Sequence, residues 1–213
     1  MEIKYLGWSA FKIFGEQASV IIDPFDPKFV GLSWETQKAD IVCVTHQHQD
    51  HNFVEGVTGC RKVIDNPGEY EVEGVRVLGF LSYHDEKKGI ERGFNTIYRV
   101  EIDEFSVVHL GDLGQKLEQG QVEKLGSVDV LIIPVGGKYT IDYEVAAEIV
   151  TQIEPPFVIP CHYQVEGVKI SGIEPLDKFL EEMGETDVSQ ETRLKLTSQA
   201  QLPEETEVVV LTS

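Results

Sequence analysis

Ile41-Val42-Cys43-Val44-Thr45-His46-Gln47-His48-Gln49-Asp50-His51-Asn52 is the stretch on which the reading of this chain turns. Its first five residues form a near-continuous apolar, mostly β-branched run, the pattern of a strand buried on both faces. The run stops abruptly at a polar cluster that holds four potential metal ligands in six residues. Neutral imidazole and carboxylate are good ligands for zinc and similar divalent ions. In a loop leaving a strand, alternate residues face the same way, so His46 and His48 could hold one ion. Asp50 and His51, further round the turn, could hold a second. A solvated polar turn is the alternative. It is the weaker one, because no helical or strand periodicity explains four such side chains together.

Two ions need more ligands than one loop supplies. The chain has six histidines, and the three outside the cluster are His84, His109 and His162. His162 closely follows an apolar run, Phe157-Val158-Ile159, and His109 opens His109-Leu110-Gly111-Asp112-Leu113-Gly114. His84 and His162 could add one ligand each, although either alone reads equally well as a satisfied core residue. Asp112 could bridge. His109 lies inside a strand-like segment and reads as packed core, with orientation of a ligand as its second role. Two dications paired with Asp50 and Asp112 keep a net positive charge. That charge favours a bridging hydroxide and an anionic substrate oxygen.

Outward from the cluster, the first third reads as β-structure, with strands at 2–6, 10–14 and 18–22 separated by Gly7 and Gly15. Asp23-Pro24-Phe25-Asp26-Pro27 ends the third strand with turn chemistry. Further strands are expected at 62–65, 69–73, 75–80, 95–102 and 105–109. The second half alternates strand and helix. It comprises a short helix over 119–126, a strand from Val128 to Val135, and a helix capped by Asp142 through Ile153. The Phe157 strand comes next, then a helix from Pro175 through Met183 and a closing strand from Val208 to Leu211. No linker or low-complexity segment interrupts residues 1–213, which are expected to form one α/β domain of two packed sheets with helices outside.

Composition narrows the function. Of 213 residues, 18 are Lys or Arg and 37 are Asp or Glu, giving a formal charge of −19. A chain this acidic is repelled at long range by nucleic acid and by anionic membranes, so neither is expected as a partner. A local positive site could still hold a small anion. No apolar run approaches the ~18–20 residues that span a bilayer. The first residues carry neither a basic leader nor an apolar stretch with a cleavage site. The three cysteines, Cys43, Cys60 and Cys161, form no Cys-x-x-Cys pair, which suits a reducing compartment. A cytoplasmic location is the expectation. A homo-oligomer is compatible with the composition, but no surface patch for one is legible.

His46-x-His48-x-Asp50-His51, followed by His84, Gly111-Asp112 and His162, resembles the metallo-β-lactamase superfamily. Arg92-Gly93-Phe94-Asn95, Leu113-Gly114 and Pro134-Val135-Gly136-Gly137 are similar to its compact branch of zinc-dependent hydrolases, which is related to ascorbate-6-phosphate lactonase. The resemblance implies an αββα sandwich of two mixed sheets with external helices. It implies two divalent ions, zinc first and Mn2+ or Fe2+ as alternatives. His46, His48 and His84 would bind one, Asp50, His51 and His162 the other, and Asp112 would bridge. Flavodiiron relatives usually have Glu where this chain has His48, which favours hydrolysis over oxygen reduction. Two positions depart from the branch: Trp8 stands where relatives often have His after Gly7, and Gln115 where a histidine often follows the Gly-Asp-Leu-Gly stretch.

The implied function is hydrolysis of a small, anionic ester, lactone or phosphodiester by a metal-bridging hydroxide, with Asp50 and Asp112 as the catalytic carboxylates. Lys138, Arg92 and Tyr139 are candidate substrate contacts, with Lys87 and Lys88 behind them; each also reads as an ordinary loop residue. The competing readings are a nuclease of the same superfamily, which the −19 charge opposes, and a metal-binding regulatory or scaffold protein that has lost catalysis.

Overall fold

The computed structural model describes residues 1–185 and 188–213. The glycine-punctuated start forms an antiparallel meander of β1 (Glu2–Gly7), β2 (Ala10–Phe14) and β3 (Ser19–Ile22). Half-buried and buried residues alternate along β1, the period of a strand with one face on a core. One turn of helix, α1 (Pro27–Val30), follows; the Asp26 carboxylate caps it by accepting from the Lys28 N–H. Then come β4 (Gln37–Lys38), β5 (Ile41–Cys43), β6 (Val57–Thr58) and β7 (Lys62–Ile64). The apolar run before the histidine cluster is β5, and all three of its residues are buried.

A long meander follows: β8 (Gly68–Val72), β9 (Val75–Tyr83), β10 (Phe94–Ile102) and β11 (Phe105–His109). After it, strand and helix alternate through α2 (Gln119–Leu125), β12 (Val130–Pro134), α3 (Tyr143–Ile153), β13 (Phe157–Cys161) and α4 (Leu176–Glu182). Asp142 caps α3 by accepting from the Val145 N–H at 2.9 Å, and Ala146, Ile149 and Val150 are its buried stripe. The chain ends with β14 (Gln190–Glu191), β15 (Leu194–Lys195), β16 (Glu207–Val208) and β17 (Val210–Leu211).

Two sheets result, ordered β15-β1-β2-β3-β5-β7 and β16-β13-β12-β11-β10-β9-β8. Both are mixed: β3, β5 and β7 are parallel, as are β11, β12, β13 and β16, and the remaining pairs are antiparallel. Ile3, Phe11, Val20 and Ile41 of the first sheet pack against Val77, Tyr98, Val107 and Ile132 of the second. Each such side chain stabilises the sandwich by about 1.5–3 kcal/mol through burial. The outer face of the second sheet, with Leu131 and Val158, is covered by Leu125, Ala146, Ile149 and Phe179 from the helices. The outer face of the first carries Ile21, Val42 and Val44 under Ala39, Val57 and Trp34, so loops and the β4–β6 pair do most of the covering there. Among the described residues no helix is long and apolar enough to cross a membrane.

The expected closing strand from Val208 to Leu211 is split. β16 lies beside β13 and β17 beside β14, so the chain changes partner at Val209, whose N–H still donates to the Val158 carbonyl. An apolar run cannot reveal where pairing passes from one partner to another. For the site, strand direction matters most. β9, β11 and β13 run the same way in one sheet and β3 and β5 in the other, so the loops after all five meet at one edge.

Candidate metal centre

The loop after β5 delivers His46, His48, Asp50 and His51; β9 delivers His84, β11 Asp112 and β13 His162. Two groups form. Ligand atoms of His46, His48 and His84 lie within 4.8 Å of one another, and so do those of Asp50, His51, Asp112 and His162. The Asp112 carboxylate faces both. Its Oδ2 is 3.3 Å from His84 Nε2, 3.3 Å from His162 Nε2 and 3.8 Å from His46 Nε2, while its Oδ1 is 3.3 Å from His51 Nε2. Apart from the exposed His48, these side chains are buried.

The supporting hydrogen bonds settle which nitrogen points inward. Asp23, fully buried at the end of β3, accepts from the Thr45 N–H at 2.8 Å, the Thr45 hydroxyl at 2.7 Å and His51 Nδ1–H at 2.9 Å. His51 Nε2 is therefore the nitrogen turned toward the other ligand atoms. The single Thr45 proton is committed to Asp23, so at 3.0 Å His46 Nδ1 must donate to the hydroxyl, which frees His46 Nε2 as well. His46 Nε2, His51 Nε2 and Asp112 Oδ1 are buried with no hydrogen-bond partner. Orphaned atoms of this kind each cost about 1–3 kcal/mol. Divalent cations accepting those lone pairs remove the cost, so the donor set fits them.

Charge follows the same geometry. Burial, with His51 and His84 nearby, holds the His46 imidazole well below its usual range, and burial lowers His84 as well; both are then neutral, as ligands must be. For His51 burial acts in the opposite direction, but the carboxylates of Asp112, Asp50 and Asp23 outweigh it and raise it well above the usual range. An ion bound at His51 would displace that proton. Burial alone would raise Asp50, yet the His51 charge beside it brings it down to about 2.

Close backbone packing fixes two of the loops. A Cβ on Gly114 would lie 2.3 Å from the His84 carbonyl carbon, and one on Gly136 would lie 2.0 Å from the His162 carbonyl oxygen. Asn95 ties β10 to the Asp112 loop: its Nδ2 donates to the Leu110 carbonyl at 2.8 Å and its Oδ1 accepts from the Asp112 N–H at 3.0 Å.

A cleft of about 490 Å³ opens over the ligands, and Arg92 and Tyr139 line it beside Phe29 and Ile170. Arg92 stands 5.7 Å over the Tyr139 ring, and its Nη2 donates to the Lys138 carbonyl at 3.2 Å. Asp85 shapes the Arg92 loop by accepting from the N–H groups of Lys87, Gly89, Glu91 and Arg92. Lys138 is placed differently. Its ammonium donates to the Ser171 carbonyl at 2.5 Å, and it lines a neighbouring hollow instead of the cleft. Lys87 pairs with Glu91 at 2.6 Å. Tyr163 is packed in the helix-side core, its hydroxyl pushed up to about 12 by burial.

The two departures also find their places. The Trp8 Nε1–H donates to Asp50 Oδ2 at 3.2 Å, and its ring lies 4.0 Å from that of His162. Gln115 turns toward Lys116 and Gln121, outside the cleft. His109 uses both nitrogens: Nδ1 accepts from the Gly111 N–H and Nε2–H donates to the Ser9 carbonyl. In the sequence Asp23 reads only as turn chemistry and Thr45 only as the end of an apolar run. The available signal was an acidic residue ending a strand that lies parallel to the ligand-bearing one, and that pairing is legible only in three dimensions.

Comparison with known proteins agrees with this geometry. A sequence profile of the beta-lactamase superfamily domain matches residues 2–162. A UPF0173 metal-dependent hydrolase of Pyrococcus abyssi is 28% identical over 191 residues, covering 76% of this chain and 84% of the relative. One from Methanosarcina mazei is 28% identical over 218 residues, covering 88% and 94%. A crystal structure from Thermotoga maritima, named for a Zn-dependent hydrolase of the metallo-β-lactamase superfamily, superposes with a TM-score of 0.81 at 34% identity, covering 99% of this chain and 97% of that one. A metallo hydrolase from Ignicoccus hospitalis shares the fold, with a TM-score of 0.70 at 23% identity over 92% of this chain and 99% of that one. The chain belongs to the metallo-β-lactamase superfamily and, within it, to the metal-dependent hydrolases that these relatives represent.

Proposed function

We propose that the chain is a dinuclear hydrolase of a small ester, lactone or phosphodiester. The observation that carries the reading is the single carboxylate of Asp112 facing two ligand groups at once, beside orphaned buried nitrogens in each. His46, His48 and His84 would hold one ion, Asp50, His51 and His162 the other, with Asp112 common to both. Bound there, two divalent ions, zinc first and manganese or iron as alternatives, would supply Lewis acidity and activate water as hydroxide near neutral pH.

The protein's own groups do the rest. Asp50 stays ionised and its Oδ2 is steadied by the Trp8 N–H, so the carboxylate is held in place both to bind an ion and to orient the attacking water. Arg92 offers a charge-assisted contact to an anionic substrate group at the cleft wall, with Tyr139 stacked beneath it. Lys138 adds positive charge from the adjoining hollow. The formal charge of −19 speaks for a small molecule over nucleic acid. Three free cysteines support a cytoplasmic setting. The test is turnover of generic ester, lactone and phosphodiester substrates by metal-loaded protein. At least one should be hydrolysed, and Asp112→Ala should lose that activity by at least 100-fold. No turnover with zinc, manganese or iron would favour a binding protein without catalysis.

A further inference from the structure

Two of the largest exposed apolar side chains occupy positions that the sheet register assigns to the core. β9 and β10 pair Val77 with Val100, Gly79 with Tyr98, Leu81 with Thr96 and Tyr83 with Phe94, so all eight share one face. Val77, Val100 and Tyr98 are fully buried between the sheets. Further along the same face, Leu81 is 51% exposed and Phe94 63%. The facing sheet ends before it reaches them: the Tyr98 hydroxyl already donates to the carbonyls of Val44 and Ile64, just beyond β5 and at the last residue of β7. β8 also stops short, its first residue Gly68 lying opposite Gly79. The apolar alternation of a buried face thus continues past the end of the facing sheet: Thr96 is still covered there, while among the described residues Leu81 and Phe94 stay open to solvent.

What lies over these side chains is a groove of about 350 Å³, lined by His46, His48, Pro67, Leu81, Arg92 and Phe94. It is continuous with the cleft over the ligand groups, with which it shares Gln47, His48 and Arg92. We propose that this groove takes the apolar acyl arm of the substrate, so that the enzyme prefers esters or lactones bearing a medium-length alkyl chain. The proposal rests on the hydrolase reading above and specifies its substrate class. In the reaction the bond from the acyl carbon to the alkoxy oxygen breaks and a bond to the water oxygen forms. One water proton leaves on the alcohol, the other is released to solvent, and the product is a carboxylate beside Arg92.

Two measurements on metal-reconstituted protein separate the proposal from the reading beneath it. The first is calorimetric binding of acetate, butyrate, hexanoate and octanoate. The second is hydrolysis of the matching p-nitrophenyl esters. A buried methylene is worth about 0.8 kcal/mol, so affinity and kcat/KM should each rise about three- to fourfold per added methylene. The rise should flatten in Leu81→Ser, Phe94→Ser, while Val63→Ser, at an exposed apolar residue outside the groove, should keep it. Hydrolysis with no chain-length dependence in the wild type would overturn the groove and leave the hydrolase. Chain-length-dependent binding without hydrolysis of any ester would support the groove and overturn the ester-hydrolase reading. If the double variant changed an oligomer to a monomer in sedimentation and kept the chain-length dependence, the patch would be a subunit contact and the proposal wrong.

Discussion

Asp23 touches no proposed ion, yet three donors depend on its carboxylate. Asp23→Ala would orphan the Thr45 N–H and hydroxyl and release His51 Nδ1. Loss of such a partner costs about 10- to 100-fold in metal affinity. Zinc titration with a competing chelator should show that loss for the ion at His51, with the His46 ion less affected. Trp8→Phe is the finer experiment. It keeps an aromatic ring against His162 and removes the N–H that Asp50 accepts. Weaker binding of one ion, with the other unchanged, is expected; equal weakening of both would assign Trp8 to general packing. At this scale the ligands were legible because histidine and aspartate cluster beside an apolar run. Asp23 was not, since its partners lie 22 and 28 residues away and meet it only through the β3–β5 pairing. Trp8 was legible as a departure, while its hydrogen bond to Asp50 required the fold.

At the scale of elements, β3 and β5 must be in register for Asp23 to lie beneath the ligand loop. Asp40, just before β5, pins the start of β3 by accepting from the Ser19 N–H at 2.9 Å and the Ser19 hydroxyl at 3.0 Å. The Ser19 backbone hydrogen bond, against a smaller opposing effect of burial, holds the Asp40 carboxyl below its usual range. A depressed carboxyl stabilises the fold above its unfolded pKa of about 3.9, and the contribution disappears as pH falls through the lower folded value. Asp40→Ala should therefore cost a few tenths to about 1 kcal/mol at neutral pH, small because the carboxylate is partly exposed. The difference from wild type should shrink in denaturant melts below about pH 4; a constant or growing difference would deny the carboxylate this role. The long elements were legible because their apolar periods are strong and their ends carry glycine, proline or a cap, as Asp142 shows at α3. β14 and β15, two residues each and mostly exposed, leave no periodic trace, and the partner change at Val209 leaves none either.

At the scale of the molecule, one edge of the sandwich gathers buried acids and imidazoles from both sheets. Folding without metal therefore leaves desolvated polar atoms unpaired. Ions that bind only the folded state, at about 1,000 times their Kd, would add roughly 4 kcal/mol. For a chain of this size that corresponds to a rise in Tm of roughly 10 °C. Differential scanning calorimetry before and after chelation should show the drop and its reversal on adding zinc. An unchanged Tm would mean that nothing binds there tightly. The sandwich itself was legible from strand-rich and strand–helix halves. The thin cover over the first sheet was not, because Trp34, Ala39 and Val57 lie in segments without helical or strand periodicity of useful length.

The most direct measurement is metal content per chain by elemental analysis. Wild-type protein purified without chelator would be compared with a His48→Ala, His51→Ala double variant, which removes one ligand from each group. The expected result is about two ions in the wild type, with both sites impaired in the variant. No ion in the wild type, even after reloading with zinc, manganese and iron, would contradict the dinuclear centre and with it the proposed catalysis.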